Sequence, residues 1–177
     1  LLEEPLGALD KNRREQTHFE LMNLHEELGI SFIMVTQDEE EAMTVSSRIG
    51  LMLHGQLEQV ATPSEIYEMP RSRFVSEFIG DVNLLEGRYG GSGEHGLVMN
   101  CRESGLSVQS TQSLDVAEGT TIWAAIRPEK LEISKEKPLD TTNVLTGKGG
   151  EIGYGGSFST DHVTLPSGIT MWEIRAN

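Results

Sequence analysis

The chain has 177 residues, enough for one or two small domains that each bury a core. It carries 28 acidic against 14 basic residues, a formal charge of −14, and a field of that sign repels phosphate backbones and argues against nucleic-acid binding. A single cysteine, Cys101, excludes an internal disulfide and fits a reducing cytosol, and no window reaches the roughly 18 apolar residues that a spanning helix requires.

The first residues show no basic-then-apolar secretory pattern, so any contact with a membrane is expected to run through a partner. They read instead as the end of a strand. Leu1 and Leu2 run into the carboxylates Glu3 and Glu4, and Pro5 then ends the extended segment because it cannot donate to a ladder. In a parallel α/β sheet, ligands bind beyond the carboxyl ends of strands, which is where a reactive carboxylate belongs. Residues 9–28 read as a helix, with Leu21, Leu24 and Leu28 at three- and four-residue spacing and Gly29 as a left-handed stop. His18 and His25 share that helix without a chelating i, i+4 spacing, so both are expected to be solvated.

Ser31 to Thr36 is an apolar run with isoleucine and valine, the pattern of a strand buried on both faces. Asp38 is placed to cap the next helix, with Glu41 completing a capping box and Glu39-Glu40-Glu41 forming a solvated acidic first turn. Residues 48–53 and 56–60 form two strands around His54-Gly55, a hairpin signal. Pro63 opens a short helix, and 72–79 forms another, with Phe74, Val75, Phe78 and Ile79 on one stripe.

After about residue 82 helical periodicity disappears and glycine becomes frequent. Short strands are expected at 84–89, 96–101, 106–109, 121–127, 131–134, 149–154, 161–165 and 169–174, the pattern of a small barrel or sandwich. Gly91-Ser92-Gly93-Glu94-His95-Gly96 formally matches G-x-G-x-x-G, but it joins two strands instead of opening a helix, so it reads as a hairpin loop.

The order Leu2-Glu3-Glu4-Pro5, Leu6-Gly7-Ala8-Leu9-Asp10, a helix, then Ile33-Met34-Val35-Thr36-Gln37-Asp38-Glu39-Glu40-Glu41-Ala42 closely resembles the ATP-binding subunits of ABC importers. The correspondence is to a Walker B strand, a D-loop, a helix and a strand ending in the switch loop. Within that family the chain resembles the subunits that power putrescine/spermidine uptake. Ala125-Ile126-Arg127-Pro128-Glu129 resembles the "RPE" element of the transport-associated OB-type (TOBE) domain that follows the nucleotide domain in these importers. Gly153-Tyr154-Gly155-Gly156-Ser157 and His162-Val163-Thr164-Leu165 look like its later strands.

The resemblance implies an α/β fold followed by an all-β one: residues 1–82 as the C-terminal part of a P-loop nucleotide domain, and 83–177 as an OB-like regulatory domain lacking its final strand or two. It implies ATP and Mg as cofactors of the full-length family, permease subunits and a second ATP-binding subunit as partners, and a place on the cytoplasmic face of the membrane. By position Glu3 matches the acid that holds magnesium through water, although the family has aspartate there. Glu4 matches the acid that activates the attacking water, Gln37 stands where the family has a histidine beside the γ-phosphate, and Asp10 lies in the D-loop. Helix N-capping is the local alternative for Asp10.

The pattern G-x-x-x-x-G-K-[ST] and a signature motif are not found, since the only Gly-Lys pair, Gly147-Lys148, is followed by Gly149. This chain is therefore not expected to bind ATP productively by itself. Glutamine can donate an amide hydrogen bond but cannot titrate, and Glu3 places its carboxylate about one C–C bond, roughly 1.5 Å, further out than aspartate would. Both departures argue against efficient hydrolysis. The alternatives are a non-catalytic regulatory or dimerisation module and a degenerate chain without activity.

Overall fold

A computed structural model describes the chain except residues 8, 94–95, 102–105 and 140–141, with backbone alone at 11, 12 and 15. It divides into two compact units, Leu1–Gly80 and Asp81–Asn177.

The first unit begins with β1 (Leu2–Glu3), α1 (Lys11–Leu28) and β2 (Met34–Val35). Strands β1 and β2 pair in parallel, Leu2 opposite Met34 and Glu3 opposite Val35. The Leu2 N–H donates to the Ile33 carbonyl, and the Glu4 N–H to the Val35 carbonyl, each at 2.8 Å. Asp10 caps α1 by accepting from the Arg13 N–H, and Gly29 ends it at φ 61°, a conformation that only glycine adopts without cost.

The 31–36 run is not buried on both faces as its composition suggests. Only Met34–Val35 is strand, and Ile33 and Val35 are exposed, because among the described residues β1 is the one strand beside it. Likewise Leu24 and Leu28, expected on a core stripe of α1, lie exposed.

Helix α2 (Glu39–Val45), the hairpin β3 (Ile49–Leu53) and β4 (Gln56–Ala61), and the helices α3 (Pro63–Glu68) and α4 (Arg73–Phe78) complete the unit. His54 and Gly55 both have positive φ, as a tight two-residue turn requires. Thr62 and Glu65 form a full capping box ahead of α3, and Ser72 caps α4. Ile49, Leu51, Ile66, Val75 and Ile79 form the core.

The second unit is β-rich. A four-stranded antiparallel sheet, ordered β7-β6-β5-β8, is built from β5 (Asn83–Gly93), β6 (Gly96–Cys101), β7 (Ser107–Ser110) and β8 (Thr121–Ile126). A three-stranded antiparallel sheet holds β9 (Lys148–Tyr154), β10 (Phe158–Thr164) and β11 (Thr170–Ala176), with β10 central. Leu85, Tyr89, Leu97, Met99, Cys101 and Val108 of the first sheet pack with Leu165 and Met171, which flank and belong to the second.

Asn83, almost fully buried, joins the two sheets. Its amide donates to the Trp172 carbonyl at 2.7 Å and accepts from the Trp172 N–H at 2.9 Å, so the side chain stands in for a ladder peptide. The strand expected at 131–134 does not form. A 3₁₀ turn at Pro128–Lys130 precedes it, and the Ile133 N–H donates to the Glu173 carboxylate at 3.0 Å instead of to a neighbouring strand. Of the glycine-rich 91–96 segment, Gly91–Gly93 end β5 and Gly96 opens β6, the two strands pairing antiparallel, with Glu94 and His95 outside the described residues. Strands of this length and connection fit an OB-like fold.

Candidate functional site

Two parallel strands deliver their carboxyl ends to one place. Beyond β1 come Glu4 and Gly7, and beyond β2 come Gln37, Asp38 and Glu39. These residues, with Arg14 of α1 and Phe78 of α4, line an open cleft of about 820 Å³. Glu4 sits at φ 45°, a left-handed conformation that costs a non-glycine residue about 1–3 kcal/mol and is found disproportionately at functional sites.

The structure thus brings Glu4 and Gln37 together on the cleft. Glu3 is on the adjoining strand end, and its side chain is exposed. Asp10 does not line the cleft; its carboxylate is engaged as the N-cap of α1 and lies 3.5 Å from the Arg13 guanidinium.

Charge around the cleft is ordered by one residue that the sequence alone did not mark. Arg14 donates from Nη1 to Asp38 Oδ2 at 2.7 Å and from Nη2 to the Leu9 carbonyl at 3.3 Å, tying the loop after β1 to the loop after β2. The other Asp38 oxygen caps α2 by accepting from the Glu41 N–H at 3.1 Å, and the Asp38 N–H donates to Thr36 Oγ1 at 3.0 Å. Glu39 accepts from the Gly80 N–H at 2.9 Å. The carboxylates of Asp38 and Glu39 are therefore engaged in holding the loop. The side chains of Glu4 and Gln37 make no hydrogen bond with another described residue, which leaves one carboxylate and one amide to face a ligand.

Behind this loop two expectations fail. His18 and Glu41, both read as solvated, are 8% and 3% exposed and face each other with Nε2 and Oε1 3.9 Å apart. The capping box expected of Glu41 does not close, because the Asp38 N–H donates to Thr36 Oγ1, and the Glu41 carboxylate is buried against α1 instead. His25 is exposed as expected, with its Nδ1 2.7 Å from the Ile30 carbonyl at the turn that follows α1.

Among the described residues no group of three or more His, Cys, Asp or Glu side chains is placed to hold a metal ion. Magnesium takes near-octahedral oxygen ligands, commonly one or two carboxylates plus substrate phosphates, so this set does not make a magnesium site without oxygens from elsewhere. Among the described residues no helix is long and apolar enough to cross a membrane.

Comparison with known proteins shows what the whole chain is similar to. The chain is 40% identical to the spermidine/putrescine import ATP-binding protein PotA of Trichodesmium erythraeum, over all of this chain and 48% of that protein. It is 41% identical to PotA of Rubrobacter xylanophilus, over all of this chain and 46% of that protein. The putrescine transport ATP-binding protein PotG of Escherichia coli is 39% identical over 95% of this chain and 45% of its own length.

Over its whole length the chain matches the C-terminal half of proteins named as polyamine-import ATP-binding subunits.

No protein-family model matches it. It spans about half the length of the curated family members it matches, and the half it corresponds to is their C-terminal one.

Proposed function

We propose that this chain is the C-terminal portion of an ABC importer ATP-binding subunit for polyamines, and that the cleft at the ends of β1 and β2 is its share of the nucleotide site. In this reading residues 1–82 close a P-loop nucleotide domain and 83–177 form an OB-like regulatory domain. The single observation that carries it is the delivery of Glu4 and Gln37 to one cleft by two parallel strands. That is where an α/β sheet binds its ligand.

In the full-length protein the subunit binds MgATP and pairs with a second ATP-binding subunit. It couples closure of that pair to permease subunits on the cytoplasmic side of the membrane. Glu4 acts as the base toward the attacking water, Gln37 donates its amide toward the γ-phosphate, and Asp10 faces the partner subunit. Glu3 is assigned to the magnesium ion through water, and the ion's chemistry when bound is charge neutralisation on the phosphates.

Gln37 and Glu3 both weaken this machinery. Loss of a preorganised acid–base or donor group costs on the order of 10²–10⁴-fold in rate. Fusing the N-terminal half of PotA to this chain and measuring MgATP turnover tests the assignment. Gln37→His with Glu3→Asp should raise turnover by about tenfold or more, and unchanged turnover refutes the roles given to these two positions. A second reading, in which the β-rich unit is the working part as a regulatory or dimerisation module, is favoured by that unit's closed core. Ligand binding retained by residues 81–177 without nucleotide would support it.

A further inference from the structure

Gln37 sits in the loop after β2, and its backbone is pinned on both sides. Before it, the Val35 carbonyl accepts from the Glu4 N–H at 2.8 Å. Across it, the Asp38 N–H turns back to Thr36 Oγ1 at 3.0 Å, and Asp38 Oδ1 fixes the start of α2. None of these bonds reaches the far end of the loop after β1. Among the described residues the hydrogen-bonded tie between the two is Arg14, whose Nη1 holds Asp38 Oδ2 while its Nη2 holds the Leu9 carbonyl.

A planar guanidinium presents its donors at fixed angles, so this fork sets a separation as well as supplying a charge. The Arg14 Nε is buried with no hydrogen-bond partner among the described residues. A stranded buried donor works against stability and calls for another explanation, which the spacing of the two loops supplies. Among the described residues Arg14 is also the one basic side chain lining the cleft, beside Glu4, Asp38 and Glu39.

We infer that Arg14 is a positioning residue: by clasping Asp38 and Leu9 together it fixes Gln37 opposite Glu4, and so governs the step that follows nucleotide binding. This rests on the reading of the cleft as a nucleotide site, and Arg14 itself touches no reacting atom. Its two effects are separable. Charge acts on the attraction of an anionic nucleotide, whereas the fork acts on the geometry in which the bound one reacts. Lysine keeps the charge and loses the fork.

The test has two arms. In the 177-residue chain, Arg14→Lys should lower the ¹⁵N order parameters of Leu9 and Asp38 from about 0.85 to below about 0.6. Those of the β3–β4 hairpin should stay unchanged, which shows that the variant is folded. The second arm uses the fusion to the N-terminal half of Trichodesmium erythraeum PotA. With Gln37→His in place, Arg14→Lys should lower kcat for MgATP by about tenfold or more and leave KM within about twofold. With Gln37→Ala in place, it should change kcat by less than about twofold, because the side chain that it positions is gone.

Full kcat in Arg14→Lys would mean that charge suffices, and overturns the inference. So do unchanged order parameters at both loops, or an equal loss of kcat in the Gln37→His and Gln37→Ala fusions. A rise in KM alone also overturns it. If no version of the fusion turns over, the nucleotide reading fails, and the order parameters by themselves decide whether Arg14 holds the loops.

Discussion

The second unit buries its apolar strands against one another, whereas the first leaves its leading elements bare. Met99 is 2% exposed within a core that draws on both sheets of its unit. Ile33, of similar size and next to the apolar strand β2, is 66% exposed. Composition is thus not what separates them; the number of neighbouring strands is. A hydrophobic residue contributes to stability only through the area it removes from water, at about 25 cal/mol per Å². The contrast teaches that exposure in the first unit is a property of partners and not of sequence pattern.

The sharpest way to break this comparison is by truncation. Met99→Ala should destabilise the second unit by about 2–5 kcal/mol, as buried large-to-small substitutions do, while Ile33→Ala should stay within about 0.5 kcal/mol. Urea unfolding followed by tryptophan emission measures the first, since both tryptophans, Trp123 and Trp172, lie in that unit. Hydrogen exchange of amides 31–36 measures the second. Equal costs at the two positions would remove the distinction.

Asn83→Ala should come next. It leaves the buried N–H and carbonyl of Trp172 without their side-chain partners, at about 1–3 kcal/mol for each group stranded. Asn83→Asp should recover only part of the loss, because a carboxylate accepts from the Trp172 N–H but cannot donate to its carbonyl.

Thr62→Ala should cost the first unit about 0.5–2 kcal/mol by removing the cap of α3. The smallest effect concerns acid. The Glu65 carboxyl is held below its ordinary value of 4.5, first by the Thr62 backbone N–H and then by the Thr62 hydroxyl. With the folded value the lower one, its contribution is fully present above 4.5 and is lost as pH falls through the folded value. In Thr62→Ala the carboxyl should titrate part of the way back toward 4.5, as read by carbon NMR, because only the hydroxyl bond is gone.

Locally encoded features were the legible ones. Asp10, Asp38 and Ser72 start helices through bonds to residues three places on, Pro63 opens α3 with its fixed φ, and His54-Gly55 turns a hairpin through its own dihedrals. Glu4 and Gln37 were singled out through the family resemblance alone, and the parallel pairing of β1 and β2 brings both to the cleft. Arg14 was not, since nothing in a helical arginine announces a carboxylate 24 residues away. The burial of His18 and Glu41 was hidden for the same reason: each looks like a surface residue on its own helix, and only the packing of α1 on α2 covers them. At Ile133 the alternating pattern was real, but the Glu173 carboxylate took the N–H that a strand would have used.

The Asn83 clamp also sets a clock. Its partner, Trp172, lies 89 residues further along the chain, so the two sheets cannot be fastened while the ribosome is still making what separates them. At the usual pace of translation that is a wait of roughly 5–18 s. In the later part of it, once β5 has left the exit tunnel, its inward-facing Leu85 and Tyr89 are uncovered, an interval in which a nascent-chain chaperone would find its client.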